Sequence, residues 1–115
     1  MAKSINKPFQ TTAGASIAFG VTVGRGQLAS SIVTLPGTKP TQHTDSFEFD
    51  LGPGEKLAGK TLICTTIVTD KRKETDDTDI RLTVSDGVSL IDEPREETAD
   101  RDGGIVTYAM VVRFK

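Results

Sequence analysis

The chain has 115 residues, a net charge of −2, 36% hydrophobic residues, 11 glycines and one cysteine. With glycine counted as apolar, the composition approaches the roughly 45–50% of ordinary globular chains, so residues 1–115 read as one folded domain. The same totals exclude several classes. A near-neutral charge gives no basis for a nucleic-acid partner, a lone Cys64 permits neither an internal disulfide nor a four-thiolate metal site, and no apolar run is long enough to cross a membrane.

Lys3 and Lys7 are followed by Pro8, Gln10, Thr11 and Thr12 rather than by a continuous apolar segment, so no signal peptide is visible. The default expectation is a soluble, cytoplasmic domain, with a secreted or virion-associated location left open for a chain trimmed of a leader.

Residues 1–12 read as an edge strand or a flexible tail, with Pro8 confining any strand over 4–11 to a sheet edge. Ala15, Ile17, Phe19, Val21 and Val23 then alternate with small or polar residues, which predicts a strand with one buried face. After Gly24-Arg25-Gly26, the segment 27–35 returns as a second strand, and the two are expected to form a hairpin. Two prolines and a glycine make 36–44 a loop. Phe47, Phe49 and Leu51 alternate with Glu48 and Asp50 in a half-buried strand, which Gly52-Pro53-Gly54 ends, and Leu57 folds back onto the core.

Residues 61–69 carry Leu62, Cys64 and Val68 on one face and Ile63 and Ile67 on the other, as an interior strand would. Ile80, Leu82 and Val84 form the next alternation. Asp86-Gly87 is the strongest turn signal in the chain, and a two-residue type I′ turn there would set Val84 opposite Ser89, Leu82 opposite Ile91 and Arg81 opposite Asp92. The last strand, 104–115, places Val106, Tyr108, Met110, Val112 and Phe114 on one face and Ile105, Thr107, Ala109, Val111 and Arg113 on the other.

Seven or eight strands and sixteen threonines, with no helical period, predict an all-β fold. The expected architecture is a two-sheet antiparallel β-sandwich of immunoglobulin-like or jelly-roll type, with a small closed barrel as the alternative.

Strand parity places the loops 70–79 and 92–103 at one end and the Asp86-Gly87 turn at the other. Those two loops hold eleven acidic and five basic residues, against five acidic and nine basic elsewhere. Two functional readings follow. Asp76, Asp77, Asp79, Asp100 and Asp102 are the oxygen donors a Ca²⁺ ion would use, and Asp100-Arg101-Asp102-Gly103 resembles the opening of a calcium loop, without its downstream bidentate acid. Alternatively, Lys71, Arg72, Lys73, Glu74, Glu96, Glu97 and Arg101 form a surface for a protein partner or self-association.

Catalytic chemistry is poorly supplied. His43 is the only histidine and falls in a Pro- and Thr-rich loop, and Cys64 lies in a buried strand. No helix follows the glycines at 20, 24 and 26 to form a phosphate site. The expectation is a protein that is not an enzyme and carries no cofactor beyond possible Ca²⁺. It would be an interaction or assembly module, a structural or accessory subunit, with a glycan- or Ca²⁺-binding module as the alternative.

Overall fold

The computed structural model describes residues 2–71, 75, 77–99 and 103–115. Its elements are β1 (Ala2–Phe9), β2 (Ser16–Val23), β3 (Leu28–Thr34), β4 (Thr41–Thr44), β5 (Phe47–Pro53), the single helical turn α1 (Gly54–Leu57), β6 (Thr61–Thr69), β7 (Asp77–Ser85), β8 (Leu90–Thr98) and β9 (Ile105–Phe114). The strands form a five-stranded sheet, β1-β9-β6-β3-β4, packed on a four-stranded sheet, β5-β2-β7-β8. This is the predicted β-sandwich. The sheets share no strand, so the closed-barrel alternative falls.

Period-two alternation builds the core directly. Ile17, Phe19, Val21, Leu82 and Val84 of the four-stranded sheet meet Leu62, Cys64, Val68, Val106, Tyr108, Met110 and Val112 of the five-stranded one, all with no exposed surface. Packing of Leu57, 3% exposed, follows from α1, which turns back under β5 as expected. Gly54 is required there, because a Cβ would lie 2.6 Å from the backbone oxygen of Thr12.

Several pairings differ from the sequence expectation. Strands β2 and β3 are not a hairpin but lie in opposite sheets, because alternation fixes a strand's buried face and says nothing about its neighbour. The crossing is made by Arg25 and Gly26, both at positive φ (57° and 66°), which carry the chain from one sheet to the other. Part of the loop assigned to 36–44 is strand: β4 pairs with β3, Ile32 opposite Gln42. The segment 92–103 is largely strand as well. Its charged residues and Pro94 hid β8, which as an edge strand needs hydrogen bonds on one side only. With these two strands the described residues hold nine, not seven or eight.

The Asp86-Gly87 turn is real but spans four residues. Only Gly87 of the pair has positive φ, so a type I′ turn is not formed. The Asp86 carboxylate instead accepts the backbone N–H groups of Val88 (2.9 Å) and Ser89 (2.7 Å). Ser85 then faces Leu90 and Val84 faces Ile91, a two-residue slip from the expected register. The slip keeps every side chain on its expected face, and Arg81 still reaches Asp92 diagonally, at 2.6 Å.

One pairing is parallel. The N-terminal strand β1 lies beside the C-terminal strand β9, from Ala2 opposite Thr107 to Phe9 opposite Phe114. It is the predicted edge strand, although its ladder departs from the all-antiparallel expectation. β1 and β8 close one rim of the sandwich, where Lys3 and Lys7 reach Glu97 and Glu93 at 3.7 and 3.6 Å.

Candidate functional site

The two sheets turn very different faces to solvent, and strand register defines both. On the four-stranded sheet the outward positions include Glu48 and Asp50 on β5, Asp77, Asp79 and Arg81 on β7, and Asp92 and Glu96 on β8. That is six carboxylates and one guanidinium. On the five-stranded sheet the outward positions are Leu28, Ser30, Ile32 and Thr34 on β3, then Thr61, Ile63, Thr65, Ile67 and Thr69 on the central strand β6. Ile105, Thr107, Ala109, Val111 and Arg113 follow on β9, with Ser4, Asn6 and Pro8 on β1 and Gln42 and Thr44 on β4. Arg113 is the one charged residue among them.

Five of the seven large hydrophobic side chains that are exposed among the described residues lie on this face: Leu28, Ile32, Ile63, Ile67 and Ile105, each 41–52% exposed. Singly exposed apolar residues are ordinary; here five are gathered on the outer face of one sheet, interspersed with Thr and Ser. A shallow groove of about 300 Å³ runs into it beside Leu28, Ser30, Thr44, Asp45, Ile67 and Thr69. The sequence signal for the patch was the second apolar face of β6 and β9. Burial on both sides is the usual reading of such strands, and here one side stays open.

The end of the sandwich singled out by its charge is assembled as strand parity requires. The N–H of Asp70 bonds the oxygen of Gly104 at 2.9 Å, and the N–H of Gly103 bonds the oxygen of Asp70 at 3.1 Å, which brings the two connections together. Beneath them Gln27 donates to the Asp70 carboxylate (3.0 Å) and to the backbone oxygen of Asp77 (3.1 Å), and accepts from the N–H of Lys71 (2.7 Å).

Of the candidate Ca²⁺ ligands, Asp76, Asp100 and Asp102 lie outside the described residues. The carboxylate of Asp77 accepts the Thr98 hydroxyl at 2.8 Å, while Asp79 pairs with Arg25 at 3.4 Å. Among the described residues no three His, Cys, Asp or Glu side chains are grouped to hold a metal ion. Of the candidate contact residues, Arg72, Lys73, Glu74 and Arg101 lie outside the described residues as well. Glu96 and Glu97 sit on β8 rather than in a loop and point to opposite faces. Glu96 meets Arg25 on the acidic outer face at 3.3 Å, and Glu97 meets Lys3 at the rim.

His43 and Cys64 hold separate structural positions. The imidazole is on β4, not in a loop, and stacks on Phe47 and Phe49 with ring centroids 4.2 and 4.9 Å away, joining the two sheets at the second rim. Burial pushes the Cys64 thiol up to about 11, against the partial opposition of a contact with Thr66, so little of it is the reactive thiolate near neutral pH. Beside the His43 rim, Val33, Leu35, Phe49 and Leu51 line a cleft of about 190 Å³, well below the 300–1,000 Å³ or so of ordinary ligand pockets.

No protein-family model matches the chain, and comparison with curated proteins and with solved structures returned no match.

Proposed function

We propose that the chain is a non-catalytic interaction or assembly module, and that its contact surface is the outer face of the five-stranded sheet. The observation that carries this reading is the contrast between the sandwich's two outer faces. One has the dense carboxylates that keep a surface solvated. The other is an Ile-, Leu- and Thr-rich plane with a single charge at its corner. Exposing that much apolar surface costs solubility, so the face is best explained by something that covers it.

A photo-crosslinking amino acid at position 63, on the central strand, tests the proposal in the full chain incubated with an extract of its native cells. The same probe at position 83, on the acidic face, is the control. The expected result is a discrete adduct from position 63 that disappears with Ile67→Lys, and none from position 83. No adduct from 63, or one that persists with Ile67→Lys, would sink it.

A further inference from the structure

We infer that the occupant of this Ile-, Leu- and Thr-rich face is a second copy of the same chain, packed sheet on sheet about a two-fold axis that passes near Thr65. This identification holds only if the face is an interaction surface, the reading proposed above.

Four features select a second copy. The first is extent. Five strands about 4.8 Å apart and eight residues of about 3.4 Å each make a face of roughly 650 Å². Two copies then bury roughly 1,300 Å², inside the 1,200–2,000 Å² or so of stable interfaces. The second is charge. Stacking this face on another molecule's acidic face would strip water from Glu48, Asp50, Asp77, Asp79, Asp92 and Glu96 while supplying only Arg113 from the opposite side. Pairing like with like buries none of these six carboxylates, and a two-fold arrangement closes rather than growing into a filament.

The third feature is the state of the sheet edges, where strand addition is the competing route to assembly. β1 carries Pro8, β8 carries Pro94, β4 has four residues, and β5 ends on Pro53 beside a register shift at Ile17/Ala18. Each is a standard obstacle to edge pairing. The fourth is position. β6 is the middle strand of five, so a two-fold axis at its centre places Ile63 and Ile67 of both copies in the driest part of the interface, ringed by Thr61, Thr69, Thr107 and Thr34. Sandwich faces of this kind interleave β-branched side chains at about 10 Å separation.

Sedimentation equilibrium of the purified full chain, from about 1 to 300 μM, decides the matter. A dimer, or a monomer–dimer equilibrium within this concentration range, is expected, since interfaces of this size class span micromolar and tighter affinities. By symmetry each substitution enters the interface twice, so Ile63→Lys is expected to weaken the dimer roughly a hundredfold or more. Thr65→Arg is expected to act likewise. Val88→Lys, which changes an exposed residue in the Asp86 turn, should leave it intact. Melting curves confirm that each variant is folded.

A wild-type chain that stays monomeric overturns the two-fold inference. If position 63 still crosslinks to a partner of different mass in the extract, the interaction reading survives that result. A dimer that persists in both Ile63→Lys and Thr65→Arg also overturns the inference, since it must use another surface.

Discussion

The phenol of Tyr108 is fully buried between the sheets, and its hydroxyl shows how the sandwich satisfies a polar group there. Thr78 has one hydroxyl proton, which it gives to the backbone oxygen of Glu97 at 2.9 Å. Tyr108 must therefore donate, sharing its own single proton between the Thr78 hydroxyl (2.7 Å) and the Thr78 backbone oxygen (3.1 Å). Burial raises the Tyr108 pKa, with the Thr78 hydrogen bond opposing. The sign follows. Above pH 10 or so the unfolded chain releases the phenol proton while the folded chain retains it, so stability is full below that pH and falls as pH rises towards the folded value. Tyr108→Phe should cost about 1–2 kcal/mol in urea denaturation at neutral pH, because Thr78 loses a donor. The variant should also show a shallower decline of stability above pH 10 or so than the wild type. An equally steep decline in the variant would assign it to other groups.

At the scale of elements, β1 is the piece whose removal is most informative. It buries Ile5 and Phe9, both 2% exposed, and Phe9 meets Phe114 edge-on at 5.9 Å. At about 1.5–3 kcal/mol for each buried side chain, deleting residues 1–10 should lower stability by about 3–6 kcal/mol. It should also leave β9 with an unpaired edge, seen as higher oligomers by light scattering. Unchanged melting would mean that β1 adds nothing to the core.

This strand was legible only as one of two readings, an edge strand or a flexible tail, with Pro8 the local signal for the edge. The interior strands β2, β6, β7 and β9 were legible because period-two alternation is itself a local signal. β8 was not, since its half-buried positions Glu93, Arg95 and Glu97 are charged: Glu93 and Glu97 find their partners on β1, far away in sequence, and Arg95 pairs with Glu93 on its own strand. The β2–β3 crossing was equally hidden, because nothing in Arg25 and Gly26 states which sheet the chain enters next.

For the whole molecule, the consequence of this layout is that charge is divided between faces as well as ends. The sequence exposed the acidic loops but not that Asp77, Asp79, Asp92 and Glu96 would join Glu48 and Asp50 in one plane, because that requires the strand order. Three carboxylates also set an acid response. Asp86 lies below its ordinary value because it accepts the N–H groups of Ser89 and Val88, Glu93 because of Arg95 and then Lys7, and Glu55 because of the N–H of Gly14. Each is depressed in the folded state, so its contribution is present above the ordinary carboxylate range and is lost as pH falls through the folded value. The melting temperature should stay level from about pH 8 to 5 and then drop, less steeply in Asp86→Asn. A melting temperature that climbs below about pH 5 would contradict this assignment.

The parallel pairing of β1 with β9 also fixes how the domain bears tension. Ala2 lies beside the start of β9 and Lys115 just past its end, so the two termini leave from opposite ends of one ladder. Pulling them apart loads the hydrogen bonds between β1 and β9 in shear, all at once, rather than peeling them open one by one. Single-molecule stretching should therefore find a high unfolding force, lowered by Ile5→Pro, which removes one rung. A chain that pulls open gradually would show that the ladder is not the element under load.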